Sequence, residues 1–283
     1  RQKSYLPAAI LLVLLANSSA YALLIAVALI AMLAVEWIFD PKARSRYCQQ
    51  AVPWDLGLSI LILTLGFGFA VYILTPPADS YNHGGLAAWK FNFDLRRALR
   101  AWNRIFAGYT LIVPSQYRWP DLFICGTITL FSVGVFGLQL LKRRFALVFF
   151  LLGNLALLAF SYFRFAGIGP RHFAHFYLIL IAAFWIYSHL PKTDFSQFQS
   201  RSWRRLLAFA KNWHQPILTT ILVIQFWGGL YVYPRDLVIP LSASQAAANY
   251  IQTSGWQDEF IMASRDANMA SISGYLERKL YYP

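Results

Sequence analysis

YLPAAILLVLLANSSAYALLIAVALIAMLAVEWIF, residues 5–39, is almost unbroken apolar sequence, and its reading decides the fold. A bilayer core takes about 20 apolar helical residues, so this run is too long for one span and must break somewhere. Asn17-Ser18-Ser19 supplies the break, because these residue types favour turns and helix starts. The reading is a short helix over 5–15, a turn, and a full span over 20–39. Further apolar runs of comparable length lie at 54–74, 121–141, 145–163, 173–190 and 216–233. Composition agrees, with 58% hydrophobic residues, 13% charged and a mean hydropathy of +0.46. The expected fold class is an all-α polytopic membrane protein with six or seven transmembrane helices. Gly57, Gly66, Gly68, Gly126, Gly134 and Gly137 fall inside the runs, where small residues let helices approach. Trp37, Tyr72, Trp119, Tyr162, Trp185, Tyr187, Tyr231 and Tyr233 gather near run ends, as an aromatic belt does.

Basic residues orient the chain. Alternate gaps carry Arg1/Lys3, Lys42/Arg44/Arg46, Lys142/Arg143/Arg144 and Lys192/Arg201/Arg204/Arg205/Lys211, thirteen of the 25 Lys and Arg. Short positive loops stay in the cytoplasm, which puts the 76–119 loop, the 164–172 turn and the 234–283 tail outside. The net charge of +13 is spread over both faces with no nucleic-acid motif beside it, so attraction to anionic headgroups explains it and nucleic acid is not an expected partner. Cys48 and Cys125 support neither a disulfide framework nor a metal site. No metal ligand set and no cofactor is identifiable, and a divalent cation is not readable from these residues.

Both ends of the chain read as cut. It opens on Arg at the mouth of an incomplete helix and stops at Pro283 as a water-soluble pattern begins. That pattern comprises a helix capped by Ser242 or Ser244 and running through Ile251, a strand over 260–263 and a second helix over 272–280. The expected domains are therefore a transmembrane part, 1–233, and a partial extracytoplasmic α/β domain, 234–283.

Two outer segments carry the polar content. In the 76–119 loop, residues 88–107 repeat at helical spacing. Arg96, Arg97, Arg100 and Arg104 share an arc of about 100°, and Leu95, Leu99, Trp102, Ile105 and Phe106 an arc of about 120° on the other side. Such a helix lies in the membrane interface. Two readings of its Arg face stay open: general contact with headgroup phosphates, or part of a binding site for a lipid phosphate. The second segment, 161–175, sets Arg164, Arg171, His172 and His175 where one span leaves the membrane and the next enters it. Arg offers a planar fork suited to phosphate oxygens, and His a donor near neutral pH. Again two readings fit, a snorkelling anchor and a phosphate-binding corner. His189 and His214 read as ordinary interface residues, Asp55 and Asp121 as caps of their spans, and Asn154 as polar glue between helices.

With this layout the chain resembles the GT-C superfamily of integral-membrane glycosyltransferases, which use polyprenyl-phosphate-linked sugars, in particular its protein mannosyltransferase and aminoarabinose transferase branch. The residues that carry the likeness are 14–21 (LLANSSAY) at the first outer turn, 165–172 (FAGIGPRH) at the later one and 246–251 (AAANYI) opening the tail. The resemblance implies a multi-pass protein of a bacterial inner (plasma) membrane and a hexosyltransferase-type activity, moving a sugar from the lipid donor to an acceptor at the outer face. It implies that Arg171 and His172, helped by Arg164, hold the donor phosphate. The family's catalytic carboxylate belongs to a first outer loop that falls upstream of residue 1, so the catalytic residue here is unknown, with Asp79 the weak candidate inside this sequence. The rival classes are a membrane transporter, which needs ionisable groups near the bilayer midplane and an internal repeat, and a non-catalytic membrane protein.

Overall fold

The computed structural model describes residues 4–50, 52–75, 89, 91–110, 118–165, 174–191, 200–238, 243–262 and 266–281. Among these the secondary structure is helical, with no strand and one isolated bridge. The helices are α1 (Leu6–Ala16), α2 (Ala20–Phe39), α3 (Pro41–Gln50), α4 (Pro53–Leu74), α5 (Leu95–Thr110), α6 (Arg118–Leu140), α7 (Arg144–Phe165), α8 (Ala174–His189), α9 (Arg201–Val238), α10 (Ser244–Thr253) and α11 (Asp266–Tyr275). The chain divides into two compact units, and within the described residues the boundary falls between Gln225 and Phe226.

In the first unit the break in the long apolar run is built as the sequence implies. Asn17 ends α1 and donates from Nδ2 to the Val13 carbonyl at 2.8 Å, while Ser19 caps α2 by accepting from the Ala22 amide at 3.2 Å. At 11 residues α1 is only about 16 Å long, short of a bilayer core. It lies parallel to α4, tied at both ends. Asp55, 3% exposed, accepts from the Ser4 hydroxyl at 2.7 Å and the Tyr5 amide at 2.6 Å, and Asn17 Nδ2 reaches the Gly66 carbonyl at 3.2 Å. Asp55 therefore holds the start of the neighbouring helix and does not cap its own span as expected: the capping position of α4 is Val52, which makes no side-chain bond.

Helix α2 stands between two layers. Ala26 meets Ala16 of α1 and Ala70 of α4, a small-residue seam of the kind that packs helices in lipid. Tyr21, Ile25, Ala28 and Met32, at helical spacing, join the main core with Phe136 and Leu140 of α6, Phe149, Phe150 and Leu157 of α7, and Phe176, Ile179 and Leu180 of α8. Outside this core large apolar side chains are bare, among them Ile60, Leu61, Leu65 and Phe69 along α4. Exposed apolar surface on that scale needs lipid around it. Among the described residues five helices are long and apolar enough to cross a membrane: Ala20–Phe39, Pro53–Leu74, Phe123–Leu140, Arg144–Phe163 and Arg201–Arg235; α1 and α8 are apolar but shorter.

Several expected boundaries move. The helix expected over 88–107 begins at Leu95 because Asp94 caps it, its Oδ1 accepting from the Arg96 and Arg97 amides at 2.9 and 3.3 Å. The span expected over 216–233 is part of a helix that starts at Arg201, so Arg201, Arg204, Arg205 and Lys211 form helical turns rather than a loop. Pro216 does not end it, as is common in membrane helices. Asn154 bonds its own helix, donating to the Phe150 carbonyl at 2.6 Å, and Oδ1 stays buried with no partner among the described residues.

In the second unit, Ala248, Ile272 and Leu280 form a small core between α10 and α11. Ser244 is the first residue of α10 and buried; the capping position is Ala243, which offers no side-chain bond. The helix expected over 272–280 is found at 266–275, closed by Glu277 at φ 53, with the Arg278 amide bonded to the Ser273 carbonyl and the Glu277 amide to that of Gly274. In place of a strand over 260–263, the described residues show a single parallel bridge between Met262 and Tyr281.

Candidate functional site at one end of the bundle

Helices α2, α5, α7 and α8 bring their polar ends together around Tyr162. Its hydroxyl accepts from the Asp94 amide at 2.6 Å and donates to the Asn92 carbonyl at 2.8 Å, which pins the approach to α5 onto α7 across 68 and 70 residues of chain. The Arg97 guanidinium sits 5.3 Å from the centre of the same ring, a cation over an aromatic face. Its Nε is buried with no acceptor among the described residues, and so is the neighbouring Ser161 hydroxyl oxygen. His175, one residue into α8, stacks on Tyr21 at 4.5 Å with an interplanar angle of 17°. Phe160 stands edge-on to both Tyr21 and Trp89, at 5.3 and 5.8 Å. The result is an aromatic collar holding one arginine and one histidine.

The amphipathic face of α5 is divided three ways. Ala101 is buried and Trp102 packs on the main core, so this edge belongs to the protein. Leu95 and Leu99 are exposed on one flank, and Arg96 and Arg100 on the other. A helix lying along a membrane surface needs this arrangement, with an apolar flank for lipid and a cationic flank for headgroups. Among the described side chains of the Arg face, Arg97 is the one turned inward.

Of the residues expected to hold a donor phosphate, Arg171 and His172 lie outside the described residues, as does Asp79. Arg164 falls in the last turn of α7 and Arg104 in α5, with side chains outside the described set. Described and brought together are Arg97, Tyr162, Ser161, Tyr21 and His175. Sequence reasoning placed Tyr162 in a belt and passed over Asp94 as a cap, although Asp two residues before an Arg pair and an apolar repeat is a helix-start signal. His189 and His214 have local partners: His189 Nδ1 lies 2.9 Å from the Trp185 carbonyl, and His214 stacks on Phe184 at 6.0 Å. Among the described residues no group of three His, Cys, Asp or Glu side chains is gathered as a metal site.

At the opposite end of the same unit, Asp40 meets Arg144 at 3.9 Å, and the Tyr47 hydroxyl donates to buried Glu36 at 2.8 Å. The Arg143 guanidinium lies 4.7 Å from the Tyr187 ring centre.

These features define an integral, multi-pass α-helical membrane protein. No protein-family model, curated protein or solved structure matches the chain.

Proposed function

We propose that the chain is the membrane part of a glycosyltransferase that moves a sugar from a polyprenyl-phosphate donor to an acceptor at the outer face, and that its share of the chemistry is to hold the lipid phosphate. The reading takes the 1–233 region as six or seven spans, the Tyr162 end as the outer end, and the tail as part of an extracytoplasmic α/β domain. One observation carries it: the Nε of Arg97 over Tyr162, buried with no acceptor among the described residues, at the end of the bundle where α7 leads into the segment bearing Arg171 and His172. A partly desolvated guanidinium favours an anion, and a departing polyprenyl phosphate gains negative charge as the glycosidic bond breaks. Arg97, Arg164, Arg171 and His172 are the donors this reading assigns to the phosphate. The acceptor's activating base is not assigned.

The transporter reading is less favoured by the buried carboxylates. Glu36 lies in the last turn of α2 and Asp55 in the first turn of α4, both at helix ends instead of mid-membrane, and both are bonded to neighbours.

Binding of a fluorescent polyprenyl phosphate to the purified chain tests the proposal. Arg171→Ala should weaken binding roughly 10- to 100-fold, the loss of a charge-assisted contact worth about 1.5–3 kcal/mol. Arg171→Lys should recover part of it, because a point charge cannot replace the fork. Arg201→Ala should bind like the parent. Parent-like binding by folded Arg171→Ala, His172→Ala and Arg97→Ala would end the proposal and leave a non-catalytic membrane protein.

A further inference from the structure

We propose that the turn joining α6 to α7 is a binding site for the phosphate of an anionic phospholipid, with Arg143 as its principal donor. This requires only that the chain sits in a membrane, and it stands apart from the sugar-transfer reading.

The turn is preorganised by buried polar contacts. Gln139, 5% exposed, donates from Nε2 to the Tyr187 hydroxyl at 3.1 Å and accepts from Lys142 Nζ at 3.0 Å. The Tyr187 ring thus fixed lies under the Arg143 guanidinium. One amide and one ring hold two cations side by side, although like charges repel. Of the described acids at this end, Asp40 faces Arg144, Glu36 accepts from Tyr47, and Asp55 accepts from Ser4 and the Tyr5 amide. Among the described residues Arg143 has no acidic partner, and its Nε is buried without an acceptor. A partly desolvated guanidinium with no acidic partner among the described residues favours an added anion.

The surroundings select the kind of anion. Ile38 and Phe39 are exposed on α2 next to Asp40, and Ile181 and Trp185 are exposed on α8 within two turns of Tyr187. These apolar surfaces give acyl chains somewhere to lie, and Trp favours the headgroup level. A phosphate diester carrying two acyl chains can set its phosphate at the cations and its chains against the exposed apolar surface at this end of the bundle, whereas a soluble anion would use the cations alone. Arg supplies a bidentate fork to such a phosphate, and anionic leaflets concentrate it near basic loops.

The test is native mass spectrometry of the full chain in detergent, titrated with phosphatidylglycerol, phosphatidylcholine or inorganic phosphate. Wild type should retain phosphatidylglycerol as a discrete adduct at least about tenfold more strongly than phosphatidylcholine. Equimolar inorganic phosphate should not displace it. Arg143→Gln should weaken retention roughly 10- to 100-fold, Tyr187→Leu should weaken it less, and Arg201→Gln should leave it unchanged. Retention unchanged in a folded Arg143→Gln protein would overturn the proposal. Displacement by equimolar inorganic phosphate would replace the lipid with a soluble anion and overturn it as well. Should Arg143→Gln fail to fold, the wild-type comparison decides, and equal retention of the two lipids sinks the idea.

Discussion

Gly66 sits where two helices touch, and a single methyl group measures how tightly. A Cβ built there would collide with both γ-methyls of Val13 on α1. Valine in a helix has essentially one χ1 rotamer, so Val13 cannot swing aside. Gly66→Ala should therefore destabilise the protein by about 1–3 kcal/mol through overpacking, less the gain from better helix propensity. Two residues on, a Cβ at Gly68 would meet nothing within 4 Å, so Gly68→Ala should be neutral or mildly stabilising. Thermal unfolding in detergent separates the two, and Val13→Ala should rescue Gly66→Ala by vacating the space. Gly153 offers a graded case, because its Cβ would meet the far end of Ile179 at 2.9 Å, a side chain able to give. Sequence placed both Gly66 and Gly68 among residues that allow close approach. Which of them performs that service depends on the rotation of α4 against α1, and a glycine carries no sign of what faces it.

The helices themselves were largely legible because their signals are local. Asn17-Ser18-Ser19 breaks the first run, and Pro53 opens α4, as their chemistry dictates. Misplaced boundaries share one cause, a cap competing with a periodic pattern. Residues 88–94 fit the helical repeat, yet Asp94 offers its amides a better start, and Asn92 and the Asp94 amide are taken by Tyr162 from far along the chain. Asp94→Ala should cost about 1 kcal/mol and fray the first turn of α5, seen as faster amide exchange there. Spin labels should find Leu99 accessible to oxygen in lipid, Arg100 accessible to a water-soluble relaxant and Ala101 accessible to neither. Equal accessibility at 99 and 100 would rule out an interfacial α5. At α11 the end is set by Glu277 in a left-handed conformation, a position that suits glycine. Nothing in the residue type announces it, so the expected helix ran on. Glu277→Gly should stabilise this unit by roughly 1 kcal/mol, measured by denaturant unfolding.

Across the first unit, contacts far apart in sequence agree on two ends. Asp40 with Arg144, Tyr5 with Tyr47 at 6.3 Å, and Gln139 with Tyr187 share one; Tyr162 with Asp94, and Tyr21 with His175, share the other. The alternation of basic gaps implies the same division, since positive loops must stay together on one face. Single cysteines at 44 and 143 should react with an impermeant reagent from one side, and one at position 94 from the other. Labelling of 94 and 143 from the same side would break this arrangement. The candidate site was less legible than the bundle. Sequence singled out cations at a junction between spans, whose side chains lie outside the described residues, while the pairing of Arg97 with Tyr162 joins residues 65 apart, and such pairing is a product of packing.

The bond from Asp55 to the start of α1 also bears on the order of assembly. A helix of 11 residues is a poor candidate for independent release into the bilayer, and the residue that secures its first turn is synthesised some fifty residues later. Membrane integration of this corner should therefore be retroactive, with α1 waiting at the translocon until α4 emerges. Nascent chains stalled before Pro53 should leave position 5 open to crosslinking with the insertion machinery. Chains released through Leu74 should lose that crosslink, and Asp55→Ala should restore it without altering the apolarity of any span.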